Sequence, residues 1–190
     1  MSGSASFLAI DFETATGSPD SACSVGVAHV EAGSILETSH TLINPGIPGE
    51  AWNPFNSRIH GISPDQVEDA ADFAEVWADL VERFNGLPLV AHNAVFDMGV
   101  IRASAESRGM AIEPIPYLCS VKLSRAAWPD MKSVRLNLVA ERLGIELDHH
   151  NAESDAQACG EVTLHALNKL GADSLEVLVA ERGWNWGTLS

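Results

Sequence analysis

Two carboxylates interrupt the first apolar segment of the chain, FLAIDFETA at residues 7–15. The segment is typical of a buried β-strand, in which successive side chains alternate between two faces. Phe7, Ala9, Asp11 and Glu13 therefore share one face. Ionised carboxylates are costly to bury unless they are paired or bind a metal ion. The chain must consequently fold so that this strand end meets a counter-charge.

The remaining sequence predicts strands that alternate with helices. A hairpin turning at Ala32 and Gly33 follows the first strand, and LPLVAH and YLCS have the composition of further strands. Helical spacing and capping signals predict helices in SPDQVEDA, DFAEVWADLVERFNG, AVFDMGVIRASAESRG, SVRLNLVAERLG and AESDAQACGEVTLHALNKLG. The Gly-, Pro- and Asn-rich segment NPGIPGEAWNPFNSRIHGISP is predicted as a loop. This order predicts a three-layer α/β domain with a mixed sheet of roughly five strands flanked by helices.

Two further carboxylates are predicted to lie at helix starts. Asp97 is in the first turn of the helix that follows LPLVAH, with Asn93 as the expected N-cap. Asp155 is one turn into the last long helix, with Asn151 as N-cap and His150 just ahead. Each acid alone is consistent with a favourable charge at a helix N-terminus. Together with the acids of the first strand, they are at positions that can meet at one end of an α/β sheet.

Four carboxylates that share a small space need cations at neutral pH. Mg²⁺ and Mn²⁺ are hard ions that prefer such oxygen ligands. Two of them, about 3.5–4 Å apart, hold the attacking and leaving oxygens of a phosphodiester displacement. A neighbouring imidazole, such as that of His150, is suited to accept the proton of the attacking water. The pattern therefore predicts two Mg²⁺ or Mn²⁺ ions and phosphodiester hydrolysis.

Composition limits the surroundings and the partners of the chain. A net charge of −15 over 190 residues disfavours tight autonomous binding of long nucleic acid, which requires a basic surface. No apolar run approaches the roughly 20 residues of a membrane span, and MSGSAS lacks the regions of a signal peptide. Three scattered cysteines fit a reducing compartment. We therefore expect a cytoplasmic protein without membrane association.

The basic residues are unevenly distributed. None precedes Arg58, and five of the eleven form a basic segment, namely Lys122, Arg125, Lys132, Arg135 and Arg142. Such a segment is either a solvated helix face or a patch that contacts phosphates. The sequence leaves both interpretations open.

The motifs DFET, HNAVFD and HNAESDA, in this order, resemble the three exonuclease motifs of the DEDD superfamily, which has an RNase H-like fold. The similarity is greatest to proofreading epsilon subunits of bacterial DNA polymerase III, and it extends from about Phe7 to Leu170. It implies a two-metal 3′–5′ exonuclease that releases nucleoside 5′-monophosphates from the 3′ end of single-stranded DNA or RNA, with DNA favoured. It also implies that the metal ligands are Asp11, Glu13, Asp97 and Asp155.

The identity of the general base follows from the same resemblance. One subclass of the superfamily has Tyr four residues before the last Asp, and the other has His five residues before it. Here Asn151 is four residues before Asp155, and His150 is five residues before it. The chain is therefore identified as a member of the histidine subclass, with His150 as the base. His149 is the alternative, but its spacing differs by one residue.

Weaker matches predict the residues that contact the substrate, namely Thr14, Ala15, His60, Ile62 and Phe96. RIHGIS resembles a loop that packs against the terminal nucleotides in relatives, where Ile62 would meet a base and His60 would hold the loop. The alternative for this segment is an ordinary turn. Thr14 and Ala15 directly follow the second carboxylate and are expected beside the terminal sugar. Phe96 either borders the substrate or belongs to the core.

Residues 1–182 are expected to form the exonuclease domain and residues 183–190 a C-terminal tail. Trp184 and Trp186 in the tail either pack on the domain or dock a partner, for which a polymerase or another nucleic-acid-processing protein is expected.

Two other functions compete: a catalytically silent binding or scaffold module, and a phosphohydrolase of free nucleotides. The complete set of acids with His150 disfavours the first, and the RIHGIS and basic segments disfavour the second.

Overall fold

The computed structural model of the protein describes residues 5–84 and 86–190. In these residues one mixed sheet is formed by the strands β1 (Phe7–Thr14), β2 (Ala22–Glu31), β3 (Ser34–Leu42), β4 (Leu89–Ala91), β5 (Ile115–Cys119) and β6 (Gly187–Leu189). Their order across the sheet is β3-β2-β1-β4-β5-β6. The first three strands form an antiparallel meander, β4 and β5 run parallel to β1, and β6 is antiparallel to β5. The predicted mixed α/β architecture is confirmed, with one strand more than expected.

The α-helices of the described residues are α1 (Pro54–His60), α2 (Pro64–Val67), α3 (Phe73–Phe84), α4 (Val95–Ser107), α5 (Ser120–Ala127), α6 (Leu136–Leu143), α7 (Ala152–Leu170) and α8 (Leu175–Arg182). Helices α3 and α4 pack on one face of the sheet, and α5 to α8 pack on the other. None of these described helices combines the length and apolarity needed to cross a bilayer.

The alternation predicted for β1 decides which layer its acids face. Leu8, Ile10 and Phe12 belong to the core cluster beneath α3 and α4. Phe7 and Ala9 belong to the cluster that contains the apolar residues of α7. Because side chains alternate along a strand, the two acids of β1 point toward the layer that contains α7.

The segment predicted as a loop contains α1, and that prediction is wrong. Asn53 caps this helix by accepting a hydrogen bond from the Phe55 N–H at 3.0 Å, and Pro54 occupies the first helical position. Gly61 ends the helix with a φ of 75°. The residues that suggested a loop therefore act as start and stop signals of a short helix. Helices α5 and α8 were also not predicted.

The two predicted asparagine caps have different outcomes. Asn151 is the N-cap of α7, and its side chain accepts a 3.2 Å hydrogen bond from the Ser154 N–H. Asn93 is not the N-cap of α4, because Ala94 occupies that position. Asn93 instead adopts a left-handed conformation with a φ of 75°, which asparagine tolerates better than most residues.

The C-terminal segment is part of the sheet. Arg102 donates a 2.8 Å hydrogen bond to the Thr188 carbonyl, and residues 187–189 pair with β5. Trp184 and Trp186 pack against the cluster that contains α7, and Lys122 Nζ lies 4.3 Å from the Trp184 ring centroid. These contacts favour the interpretation that the tryptophans pack on the domain.

Candidate active site

Asp11 and Glu13 lie at the C-terminal end of the central strand β1. They are paired across the antiparallel ladder with Gly26 and Ser24 of β2. On its other side, β1 is paired with β4 only through Leu8 and Ala9, so the acids lie beyond the paired part. Both acids are partly buried. The end of β1 therefore presents two carboxylates where the neighbouring parallel strand has already ended.

Asp97 is held beside these acids by the start of α4. Its side chain is 1% exposed, and its Oδ1 accepts a 3.1 Å hydrogen bond from the backbone N–H of Phe12. Helix α4 begins shortly after β4 ends, which places its first turn beside the projecting end of β1. The strand-to-helix connection thus brings together acids that are distant in sequence.

Asp155 completes the group from the first turn of α7. It is 3% exposed and accepts hydrogen bonds from the His150 backbone N–H at 2.8 Å and from His149 Nδ1 at 2.9 Å. Carboxylate oxygens of Asp11, Glu13 and Asp155 all lie within 4.8 Å of one another. The first and third motifs therefore meet here, and the hydrogen bond from the Phe12 N–H to Asp97 places the second motif beside them.

Gly26 is a residue of this arrangement that the sequence interpretation missed. A Cβ atom at this position would lie 1.9 Å from the carbonyl oxygen of Ala152, at the start of α7. Only glycine allows α7 to approach β2 this closely, directly beside Asp11 in the ladder. The signal in the sequence was a glycine within the apolar strand segment SVGVA, which often marks such an approach.

Burial raises the pKa values of three of the acids, and repulsion between the acids adds to the effect. Burial, followed by repulsion from Asp97, Asp155 and Glu13, raises the pKa of Asp11 well above its ordinary range. Burial and the same kind of repulsion raise the pKa of Glu13 to about 8. For Asp97, burial raises the pKa to about 7 although the Phe12 N–H stabilises the ionised form. These carboxyl groups resist ionisation at neutral pH because burial and mutual repulsion disfavour their ionised form. A hard divalent cation would supply a counter-charge and would bind their oxygen atoms.

A groove of about 680 Å³ opens over the acids, a volume typical of a ligand site. Ile59 of α1 and Phe96 of α4 contribute apolar lining, and they are 38% and 43% exposed. Arg125, Lys132 and Arg135 contribute cationic lining. The groove thus offers both apolar and positively charged surface next to the carboxylates.

The family of the chain follows from comparison with known proteins. The family model described as Exonuclease (RNase_T) matches residues 8–163, a range that includes all four acids and the groove. The chain belongs to the exonuclease family.

Two curated relatives share this exonuclease domain. The chain is 33% identical over 167 residues to a PolC-type DNA polymerase III of Caldanaerobacter subterraneus, covering 86% of this chain and 12% of the relative. It is 32% identical over 168 residues to the 3′-5′ exonuclease DinG of Bacillus subtilis, covering 86% of this chain and 18% of the relative. The chain thus spans less than a fifth of the length of either relative.

A solved structure confirms the fold of the exonuclease domain. The nuclease domain of 3′hExo, a DEDDh family member solved bound to rAMP, superposes with a TM-score of 0.70 at 16% identity. The similarity covers 88% of this chain and 94% of that one. The fold is therefore shared at a level where the sequences have largely diverged.

The five residues of the basic segment have different surroundings in the exonuclease domain. Arg125, Lys132 and Arg135 line the groove, which favours the phosphate-contacting interpretation for them. Arg142 instead forms a 2.7 Å ion pair with Asp130, and Lys122 lies over a tryptophan ring. Only part of the segment is available to a substrate in the groove.

Of the five residues expected to contact substrate, three line the groove and two do not. Thr14, His60 and Phe96 line the groove of the exonuclease domain. Ala15 and Ile62 do not, because both are buried in a small apolar cluster beside the groove, with Ile62 7% exposed. The contact of Ile62 with a base therefore stays a prediction that the groove lining does not support, and Ile59, three residues earlier on α1, is the isoleucine that lines the groove.

His60 holds the segment that follows α1, as expected. Its Nε2 lies 3.3 Å from the Thr14 carbonyl, and its Nδ1 accepts a 3.1 Å hydrogen bond from the Ile62 N–H. A carbonyl oxygen only accepts, so Nε2 carries the proton and the ring is neutral. Burial also lowers the pKa of His60, which favours this neutral form. The imidazole thus connects the end of β1 to the turn after α1.

His149 and His150 both line the groove, and their rings stack with centroids 4.0 Å apart. His149 donates its Nδ1–H to Asp155. His150 adopts a left-handed conformation with a φ of 72° and uses its backbone N–H to bind the same carboxylate. Burial and the neighbouring His149 lower the pKa of His150. The assignment of the base between the two stays a prediction.

Proposed function

We propose that this chain is the catalytic domain of a divalent-metal-dependent 3′–5′ exonuclease that acts on single-stranded DNA. The convergence of Asp11, Glu13 and Asp155 within 4.8 Å, in a chain of the exonuclease family, is the observation that carries this proposal. Buried Asp97 beside them extends the acidic group to four. No structural role requires four carboxylates at one strand end, among them Asp11, Glu13 and Asp97 with raised pKa values.

Two Mg²⁺ or Mn²⁺ ions are the proposed cofactors, held by Asp11, Glu13, Asp97 and Asp155. The donor set consists of carboxylate oxygens, which these hard ions prefer. When bound, such ions neutralise the crowded carboxylates and lower the pKa of water in the site. The raised pKa values of Asp11 and Glu13 support the fit, because burial and mutual repulsion disfavour the ionised carboxylates unless a cation stabilises them.

His150 is the proposed general base. Its lowered pKa keeps the imidazole neutral at pH 7, the form that accepts a proton from the attacking water. His149 is the weaker candidate, because it lies six residues before Asp155 instead of five. The water oxygen attacks the terminal phosphorus and the bond from phosphorus to the 3′ oxygen breaks. The products are a nucleoside 5′-monophosphate and a shortened strand with a 3′-hydroxyl group.

The groove is proposed to bind the 3′ end through two kinds of contact. Ile59 and Phe96 offer apolar surface against which unstacked bases pack. Arg125, Lys132 and Arg135 offer cations for the phosphates upstream of the scissile bond. Three cations on a chain of net charge −15 suit a short single-stranded end better than a long duplex.

DNA is the proposed substrate, and a polymerase or another nucleic-acid-processing protein is the proposed partner. The relative in C. subterraneus is by name a DNA polymerase, and in that protein the matching region makes up 12% of the length. A catalytic domain that is part of a larger DNA-processing protein receives its substrate from its neighbours. The acidic surface of this chain is consistent with such delivery, since it provides little electrostatic attraction of its own.

A catalytically silent scaffold of the same fold is the competing function. A scaffold has no need to retain a buried acidic group that destabilises the folded protein without cations. The complete set of acids with two histidines beside them therefore favours the enzyme.

Product analysis on labelled oligonucleotides tests the proposal. Single-stranded DNA and RNA labelled at the 5′ or the 3′ end are incubated with EDTA, Mg²⁺ or Mn²⁺. We expect labelled mononucleotide from the 3′-labelled DNA at once, and a ladder of shortening products from the 5′-labelled DNA, only with metal. Binding without cleavage under all metal conditions would favour the scaffold. Faster digestion of RNA would overturn the choice of substrate.

A further inference from the structure

We propose that His92 is a positioning residue that holds the loop between α5 and α6 in place, so that its cations face the substrate. This loop, residues 128–135, is called the basic loop below, and it contributes Lys132 and Arg135 to the groove. The part of the inference that concerns substrate rests on the proposed function. The part that concerns the loop itself does not, and it is tested separately.

His92 connects the basic loop to the sheet through both ring nitrogens. It directly follows β4, and its Nε2 lies 2.9 Å from the carbonyl oxygen of Val134. Its Nδ1 lies 2.7 Å from the hydroxyl oxygen of Ser120, at the start of α5. Since the carbonyl only accepts, Nε2 carries the proton, and the neutral ring accepts from Ser120 at Nδ1.

The connection continues into α7. Cys159 Sγ lies 3.5 Å from the Ser120 hydroxyl, and Cys159 belongs to the same helix as Asp155, one turn further on. Ser120 and Cys159 are both fully or almost fully buried. A polar chain therefore runs from α7 through α5 and His92 to the backbone of the basic loop. Buried polar chains of this kind restrict the positions of the elements they join.

The position of Val134 explains why this one bond matters. Val134 is buried in the core, whereas Lys132 and Arg135 on either side of it are exposed and line the groove. The other hydrogen bonds described for this loop join it to itself or to its two flanking helices. The bond from His92 is thus the described link between the loop backbone and the end of β4. Loss of the link would let the two cations move relative to the carboxylates.

His92 is not itself placed to act on the substrate by proton transfer. Both of its nitrogens are engaged within the protein, and burial lowers its pKa. Its contribution passes through the backbone of Val134. We therefore expect its loss to weaken substrate binding more than the chemical step.

Limited proteolysis with trypsin tests the loop without any assumption about activity. Trypsin cleaves after Lys132 and Arg135, so the cleavage rate reports how freely the basic loop moves. We expect His92→Leu to accelerate cleavage after these residues about 3- to 10-fold, the range of one net hydrogen bond. Cleavage after Lys169, in α7, should stay at the wild-type rate and excludes global unfolding. His92→Gln, whose amide N–H can still donate, should restore much of the protection.

Nuclease kinetics then tests the effect on substrate. His92→Leu should raise KM for a single-stranded oligonucleotide about 3- to 10-fold and lower kcat by less than about threefold, because one positional hydrogen bond is lost. In a Lys132→Ala/Arg135→Ala background the same change should have almost no effect on KM, since the cations it positions are absent. Additive effects in this cycle would overturn the role in positioning these cations. A fall in kcat at constant KM would place His92 in the chemistry and overturn the inference.

The two measurements separate the possible failures. Unchanged tryptic cleavage after Lys132 in His92→Leu refutes the link to the loop, whatever the nuclease assay shows. If the wild type releases no mononucleotide, the proposed function fails, and proteolysis alone decides whether His92 holds the loop. Where His92→Leu does not fold, Ser120→Ala replaces it. That change removes the donor to Nδ1 and should accelerate the same cleavages, and an unchanged rate there would also overturn the inference.

Discussion

The backbone N–H of Phe12 donates a 3.1 Å hydrogen bond to Oδ1 of Asp97. Phe12 lies between the two acids of β1, so this bond fixes the third acid beside the first two. The pairing of β4 with β1 ends at Ala9, and beyond it Asp97 in the first turn of α4 accepts the bond from the Phe12 N–H. The backbone N–H of Phe12 is thus satisfied beyond the end of the β1–β4 ladder, and it orients a carboxylate of the site.

Removal of one charge from the acidic group should separate activity from stability. Asp11→Asn or Asp155→Asn should lower kcat roughly 100-fold or more, because the stabilisation of charge by cations is worth several kcal/mol. The same variants should have a higher Tm than the wild type in EDTA, since repulsion within the group decreases. Glu176→Gln, at an exposed position of α8, is the control and should change neither quantity. Full activity of the wild type in EDTA would contradict the metal mechanism.

The stability of the metal-free protein should fall as pH rises from about 5 to 8. The pKa values of Glu13 and Asp97 in the folded protein are about 8 and about 7, above those of the unfolded chain. Between the unfolded and the folded pKa values, the folded state binds more protons than the unfolded state. The free energy of unfolding therefore decreases as pH rises. The stabilisation is complete below the unfolded pKa values and is lost as pH rises through the folded ones.

Thermal unfolding in EDTA against pH measures this effect, and saturating Mg²⁺ should reverse it. Asp97→Asn should flatten the dependence because one of the titrating groups is gone. A Tm in EDTA that is constant or rises over this interval would show that the acids are not destabilised as described.

His150→Ala should lower kcat about 10²- to 10⁴-fold, the usual contribution of a general base. Burial and His149 lower the pKa of His150 from its ordinary value of about 6.5. The rate should therefore decrease only at pH values below about 6.5, where the imidazole becomes protonated. His149→Ala should have a smaller effect and should keep the acid limb. Single-turnover rates against pH at saturating metal distinguish the variants. Greater damage from His149→Ala would assign the base to His149 instead.

The cations that line the groove should determine the salt dependence of binding. Alanine substitutions at Arg125, Lys132 and Arg135 should raise KM and reduce the slope of log KM against log salt, because each phosphate contact contributes about 0.7 to the slope for single strands. The control variants Lys169→Ala and Arg182→Ala each remove one charge, as each single groove variant does, from exposed helical positions away from the groove. An equal response of both groups would mean that only net charge matters.

Gly26→Ala should disturb the packing of α7 against β2, next to the acids of the site. The new Cβ would lie 1.9 Å from the Ala152 carbonyl, so α7 must shift or β2 must bend. We expect a loss of about 1–3 kcal/mol of stability, as for other overpacked positions, with a fall in kcat as Asp155 moves away from Asp11. Gly17→Ala is the control, because a Cβ there meets no atom within 4 Å. Urea unfolding and steady-state kinetics provide the two measurements, and wild-type behaviour of Gly26→Ala would show that the close approach is not needed.

The sequence by itself determined the features that local patterns encode. The period of two along FLAIDFET placed the acids of β1 on the same face as Phe7 and Ala9, and the structure shows that this face packs against α7. The cap at Asn151 and the helical spacing around Asp97 predicted the helices that carry the other two acids. These predictions succeeded because each depends on residues within one or two turns of each other.

The tertiary structure alone decided which residues meet across the fold. Ile62 is buried in a cluster with Trp52 whereas Ile59 lines the groove, and the segment around them does not encode this difference. The close approach of Gly26 to Ala152 and the bond from His92 to Val134 join residues far apart in the chain. Local pattern limits the face and the conformation of a residue, whereas its distant neighbours are chosen by the packing of whole helices on the sheet, to which every core residue contributes.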